Sequence, residues 1–159
     1  IMIQCISNGG KVIFCGNGGS AADAQHLAAE LVGRYRIDRN AMAGLALSTD
    51  TSIITAIGND YSFEDIFSRQ IEAVGNKIDV LYAISTSGKS LNIIKAIKAA
   101  KNKNMFVIGI TGDKGNDMEG KCDILINVPA NRPDRIQEMH IAVGQILCEL
   151  VENSFFAKN

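Results

Sequence analysis

The sequence predicts a doubly wound α/β fold, with five parallel strands in a central sheet and helices covering both faces. Three observations carry this prediction. Apolar runs of strand length recur along the chain, helix-period segments separate them, and the glycine- and serine-rich loops follow strands. Strands that alternate with helices pair in parallel, and right-handed crossovers place the helices on both faces of the sheet. With 159 residues, the chain is one domain in length.

The elements follow in order. Lys11–Cys15 reads as the first strand, Gly16–Ser20 as a glycine-rich loop and Ala21–Val32 as a helix. Ala43–Leu47 is the second strand, followed by helical pieces at Thr51–Ile57 and Ser62–Val74. Val80–Ile84 is the third strand, Ser85–Ser90 a loop and Leu91–Lys103 a helix. Met105–Ile110 is the fourth strand, and Ile124–Val128 the fifth, after a glycine-rich connection. Pro133 then precedes a long helix running to about Phe156. The chain opens on an amphipathic fragment (Ile1, Ile3, Cys5, Ile6) already under way, so a further N-terminal helix is expected before a single domain spanning 1–159. Ligands of such sheets sit beyond the carboxyl ends of the strands, where the strand order reverses. The loops after the first and third strands are therefore the places to look.

Composition narrows the function. A hydrophobic content of 47% supports a proper core, and a net charge of −1 gives no electrostatic footprint for nucleic acid or an anionic membrane. No apolar run reaches transmembrane length. The four cysteines, Cys5, Cys15, Cys122 and Cys148, form no C-x-x-C pair and read as reduced thiols of a cytoplasmic protein.

The first loop, Gly16-Asn17-Gly18-Gly19-Ser20, precedes a helix whose free N–H groups suit an anion or a polyhydroxyl chain. A plain tight turn explains it as well, and its spacing is not a dinucleotide fingerprint. The second loop, Ser85-Thr86-Ser87-Gly88-Lys89-Ser90, packs four hydroxyls into six residues. Capping of the next helix by Ser90 accounts for one of them; a phosphate held by hydroxyls and helix N-terminal amides accounts for all. The stretch from Ala83 nearly matches a nucleotide-binding G-x-x-x-x-G-K-[ST] loop, but Ala83 replaces the first glycine and neither later strand ends in an aspartate.

His26 and Glu30 lie one turn apart, opposite the apolar stripe Ala24, Leu27, Ala28 and Leu31, with Asp23 near them. They suit either a solvated helix face or a shared metal. Asn59-Asp60 marks a helix boundary or binds sugar hydroxyls. Asp134 and Gln137 have the spacing of a capping box. Gln137 and Gln145 sit about 80° apart around the last helix and about 12 Å apart along it, so a shared ligand would need two copies of the helix. His140 reads as an ordinary half-buried histidine.

Taken together, Gly16–His26, Glu30 with Gly33-Arg34-Tyr35-Arg36, Ala56–Asp60, Ile84–Ser90 and Arg135–His140 resemble the bacterial phosphoheptose isomerases, of the sugar-isomerase (SIS) domain family. The motifs appear in order over nearly the whole chain. The resemblance implies a flavodoxin-like three-layer sandwich and conversion of sedoheptulose 7-phosphate to D-glycero-D-manno-heptose 7-phosphate, for lipopolysaccharide or capsule heptose. It implies a homotetramer with sites at subunit interfaces. Ser85, Thr86, Ser87 and Ser90 would hold the phosphate; Asn17, Gly18, Gly19, Ser20, Asn59 and Asp60 would line the sugar site; Arg34 and Asp134 would support it. His26, Glu30 and Gln137 would ligate zinc, Glu30 also serving as catalytic acid/base.

One position departs from the family, which has a zinc-ligating, proton-transferring histidine where this chain has Gln145. An amide hydrogen-bonds, and its oxygen ligates metal weakly, but it does not exchange a proton near neutral pH. Three readings stay open: an engineered substitution, a natural variant using another base such as His140, and a paralogue that no longer catalyses. The last has a precedent in a related branch that binds a replication initiator. That branch lacks the glutamate, so Glu30 favours the isomerase line. A different reaction on a hexose phosphate is a third, weaker alternative.

Overall fold

The computed structural model describes residues 1–113 and 117–157. The elements are α1 (Met2–Ser7), β1 (Val12–Cys15), α2 (Gly19–Val32), β2 (Gly44–Ala46), α3 (Thr51–Asp60), a 3-10 turn (Phe63–Asp65), α4 (Ser68–Val74), β3 (Val80–Ser85), α5 (Leu91–Asn102), β4 (Phe106–Gly112), β5 (Ile124–Val128) and α6 (Pro133–Phe156). All five strands pair in parallel, in the order β2-β1-β3-β4-β5, as the alternating pattern predicts.

Strand side chains alternate between the two faces, and each face builds its own core. Val12, Phe14, Val80, Tyr82, Ile84, Ile108 and Ile110 point to one side, where Leu27, Leu31, Cys148 and Val151 of α2 and α6 cover them. Phe14 and Tyr82 meet there with rings tilted by 51° and centroids 5.6 Å apart. Ile13, Cys15, Leu81, Ala83 and Val107 point the other way, onto Ile71 of α4 and Ile93, Ala96 and Ile97 of α5. The α2 stripe expected from the sequence is buried throughout. All four cysteines are unpaired, and burial pushes the Cys15 thiol up to about 12.

Several boundaries move. β4 runs two residues past Ile110, because Thr111 still pairs with Ser85 and Gly112 with Val128. The expected helix over Ser62–Val74 breaks into the 3-10 turn and α4; the Ser62 hydroxyl accepts from the Glu64 N–H and tightens the first turn. α3 extends to Asp60, with the Asp50 carboxylate capping the Ile53 N–H, yet none of its residues is buried. The connection between β4 and β5 includes residues 114–116, which lie outside the described residues.

The capping box at the start of α6 does not form. Pro133 occupies the first turn and Arg132 is the N-cap, without a side-chain capping bond. Asp134 pairs instead with the Arg132 guanidinium at 2.6 Å, which leaves Gln137 free of a capping role.

Candidate functional site

The strand order reverses between β1 and β3, the position at which doubly wound sheets bind ligands. Both polar loops begin here. Asn17, Ser20, Ser85, Thr86 and Ser90 line a small cavity of about 60 Å³. Gly18 takes a positive φ of 55°, and the Ser20 N–H closes the turn onto the Asn17 carbonyl at 2.9 Å. α2 starts two residues earlier than expected, so Gly19 and Ser20 form its first turn.

In the second loop, the Gly88 N–H donates to Ser85 Oγ at 3.1 Å, and Ser85 Oγ lies 3.3 Å from Ser90 Oγ. The Lys89 N–H donates to Ser87 Oγ. Ser90 is the N-cap residue of α5, but its hydroxyl makes no capping bond, so capping does not account for it. A larger cavity of about 270 Å³ lies on the other side of this loop, lined by Thr86, Ser87, Lys89, Gly112, Asp113 and Asn131 among others. Asp113 follows the lengthened β4, so the absence of a strand-ending aspartate no longer argues against nucleotide binding. What does is Ala83, Ile84 and Ser85, which are ladder residues inside β3 and cannot wrap a phosphate chain.

On α2, His26 Nε2 and Glu30 Oε1 are 3.0 Å apart, and Gln145 Nε2 of α6 lies 3.2 Å from the same His26 nitrogen. Gln137 lies elsewhere on the α2–α6 contact. Its amide crowds Gly19, where a β-carbon would collide with it, and it stands near Asp23. The structure thus brings His26, Glu30 and Gln145 together within one chain and leaves Gln137 beside the glycine loop. One imidazole, one carboxylate and an amide oxygen are donors that zinc accepts. Among the described residues no three His, Cys, Asp or Glu side chains gather into a ligand set.

Asp23 is buried rather than solvated, and its pKa is raised by that burial against the opposing pull of Gln137 and His26. His140 is fully buried, not half-buried as expected. Burial lowers its pKa, and among the described residues neither ring nitrogen has a hydrogen-bond partner. Buried in this way, it lines neither of these two cavities. Arg34, Asn59 and Asp60 are exposed. The Asn59 amide bonds only its neighbour Asp60, and among the described residues nothing joins this pair to the loops after β1 and β3.

Two residues of this region have no place in the sequence reading. Asn92, in the first turn of α5, exchanges two hydrogen bonds with Asn17, at 2.9 and 2.8 Å. Glu152, near the end of α6, accepts from the N–H groups of Tyr35, Arg36 and Ile37 and pairs with the buried Arg39 at 2.8 Å, fixing the segment that carries Arg34. Each stands on the apolar stripe of its helix, and a polar residue in core register is the signal that could have found them.

The comparisons with known proteins agree with one another. A model of the SIS domain matches residues 1–112. Phosphoheptose isomerase 1 of Campylobacter jejuni is 55% identical over 98% of this chain and 83% of its own length. Phosphoheptose isomerase of Rhodospirillum rubrum is 60% identical over 97% and 82%. Among solved structures, the Neisseria gonorrhoeae phosphoheptose isomerase superposes with a TM-score of 0.88 at 50% identity, covering 94% of this chain and 81% of that one. The Francisella tularensis enzyme does so with 0.92 at 39% identity, covering 96% and 81%.

Proposed function

Because the chain belongs to the SIS domain family, and within it to the phosphoheptose isomerases, we infer that it converts sedoheptulose 7-phosphate to D-glycero-D-manno-heptose 7-phosphate. The observation that carries this reading is the meeting of the two polar loops at the strand-order switch, with His26 and Glu30 on the helix that leaves the first loop. The family membership and Glu30 favour this reading over the non-catalytic regulator that Gln145 suggests.

In the mechanism, the hydroxyls of Ser85, Thr86, Ser87 and Ser90 and the amides at the start of α5 hold the phosphate. The glycine loop, through Asn17, Gly18, Gly19 and Ser20, lines the sugar chain. Aldose–ketose exchange removes a proton from C1 of the ketose, moves one onto the C2 oxygen to give the enediol, then takes the proton from the C1 oxygen and returns one to C2. The Glu30 carboxylate takes the C1 proton and delivers it to C2. Gln145 donates a hydrogen bond to a substrate oxygen but transfers no proton, so that transfer falls to water. In this reading His26, Glu30 and the amide oxygens of Gln137 and Gln145 would hold zinc. Bound there, zinc would polarise the substrate carbonyl.

The assembly is a homotetramer with interfacial sites. Three features support it. α3 buries none of its residues. α6 exposes an apolar stripe of Met139, Ile146 and Leu150, each about half exposed. Asn59 and Asp60 are exposed and do not line the cavity of their own chain, so they are free to serve another's. Arg34 and Asp134 support the site from its rim. No described helix is long and apolar enough to cross a membrane, and the unpaired thiols favour the cytoplasm, where the product would enter lipopolysaccharide or capsule heptose.

The test is isomerisation of sedoheptulose 7-phosphate, with and without added zinc, by this chain and by Glu30→Gln. Turnover abolished in Glu30→Gln is the expected result. A folded protein that neither binds nor turns over this substrate refutes the reading.

A further inference from the structure

The amide pair of Asn17 and Asn92 joins the two halves of the site. Asn17 belongs to the loop after β1, and Asn92 to the first turn of the helix that follows the Ser85–Ser90 loop. Asn17 Nδ2 donates to Asn92 Oδ1 at 2.9 Å, and Asn92 Nδ2 donates to Asn17 Oδ1 at 2.8 Å. Asn92 is only 3% exposed, on the stripe of α5 that otherwise holds Ile93, Ala96, Ile97 and Ala100. A buried amide demands a partner, and a backbone group of its own layer would have sufficed. Asn92 reaches across the strand-order switch instead.

We propose that Asn92 is a positioning residue, which fixes the distance between the phosphate loop and the glycine loop by clamping Asn17. The proposal rests on the isomerase reading above, since it needs a substrate that spans both loops. The start of α5 moves with Ser85 and Ser90, whose hydroxyls stand 3.3 Å apart just ahead of it. Holding Asn92 to Asn17 therefore sets where the phosphate sits relative to the reacting end of the sugar. The clamp also assigns work to Asn17. One N–H and one oxygen lone pair of its amide are committed to Asn92, leaving one of each to face the cavity that it lines.

A residue that sets spacing affects a ligand that touches both loops and spares one that touches a single loop. Inorganic phosphate is the single-loop probe, and sedoheptulose 7-phosphate the spanning one. Asn92→Ala should lower kcat/KM for the sugar phosphate by about 10- to 100-fold, as misplacement at this scale does. The competitive inhibition constant of inorganic phosphate should change by less than about twofold, because a phosphate bound to one loop does not sense their spacing. The double variant Asn17→Ala/Asn92→Ala should be no worse than the poorer single variant, since both remove the same pair. Asn92→Ser replaces Asn92→Ala if the latter fails to fold. A wild-type chain active on the sugar phosphate, with Asn92 variants of unchanged kcat/KM, overturns the proposal alone. So does a parallel loss of inorganic phosphate affinity, which would mark Asn92 as a structural residue of the phosphate loop. A wild-type chain that neither binds nor isomerises the sugar phosphate removes the isomerase reading, and the positioning role with it.

Discussion

Lowering the pH should weaken this fold through one carboxylate, Glu152. Its side chain is buried, and burial alone would raise its pKa. The N–H groups of Arg36, Tyr35 and Ile37, at 2.7 to 2.9 Å, and the Arg39 guanidinium at 2.8 Å outweigh that penalty and bring it from 4.5 down to about 2. A carboxylate depressed in the folded state contributes its full stability above its unfolded value and loses it as the pH falls toward 2. The lowering corresponds to about 3 kcal/mol, a large share of the stability of a small domain. Glu152→Gln keeps the shape, turns one oxygen into a donor that faces other donors, and leaves Arg39 buried without a counter-ion. Breaking such a pair costs about 3–5 kcal/mol. Urea unfolding of both proteins, followed by circular dichroism between pH 7 and pH 3, measures the gap. The gap should be widest at pH 7 and narrow steadily below pH 4.5. A gap of the same size at pH 3, or a cost under about 1 kcal/mol at pH 7, would refute the assignment of this charge as the anchor of the 35–37 segment.

Further outcomes concern the site. Gln145→His should raise kcat by about 10²–10⁴ in the presence of zinc, the usual contribution of one positioned proton-transfer group; an unchanged kcat would mean that position 145 does not limit turnover. Ser90→Ala should weaken inorganic phosphate about tenfold by titration calorimetry, the value of one hydrogen bond to a charged group, and unaltered affinity would place the phosphate elsewhere. Gly19→Ala should leave the far-ultraviolet spectrum intact and lower kcat/KM about tenfold or more, because the added methyl displaces the Gln137 amide; full activity would separate Gln137 from the site.

Hydrophobic periodicity made the sheet legible. The runs at Val80–Ile84 and Ile124–Val128 fall within a residue of the observed strands, and the Ala24–Leu31 stripe is the face that α2 buries. The loops were legible too, since glycines and hydroxyls that follow strands have few other uses. What the pattern hid was the polar interior. His140, Glu152 and Asn92 stand in core register, and a pattern that scores only apolar positions treats them as interruptions. Their partners lie far along the chain: Asn92 is 75 residues from Asn17, and Glu152 is 113 from Arg39. The capping box was misread for a local reason that the sequence does contain. Pro133 fits the first helical position, where its missing N–H costs nothing, and this moves the cap to Arg132.

The sheet is a wall between two cores, and the walls of the site are unevenly shared. His26, Glu30, Gln137 and Gln145 all belong to α2 and α6, whereas the α4–α5 layer supplies the site only with the start of α5. Drift should therefore be lopsided across homologous chains. Ile71, Ile97, Met105 and Met118, sealed behind the strands on the far side, are free to exchange volume among themselves in compensating sets. Leu27, which packs against Gly144 within a residue of His26 and Gln145, is tied to the chemistry proposed there.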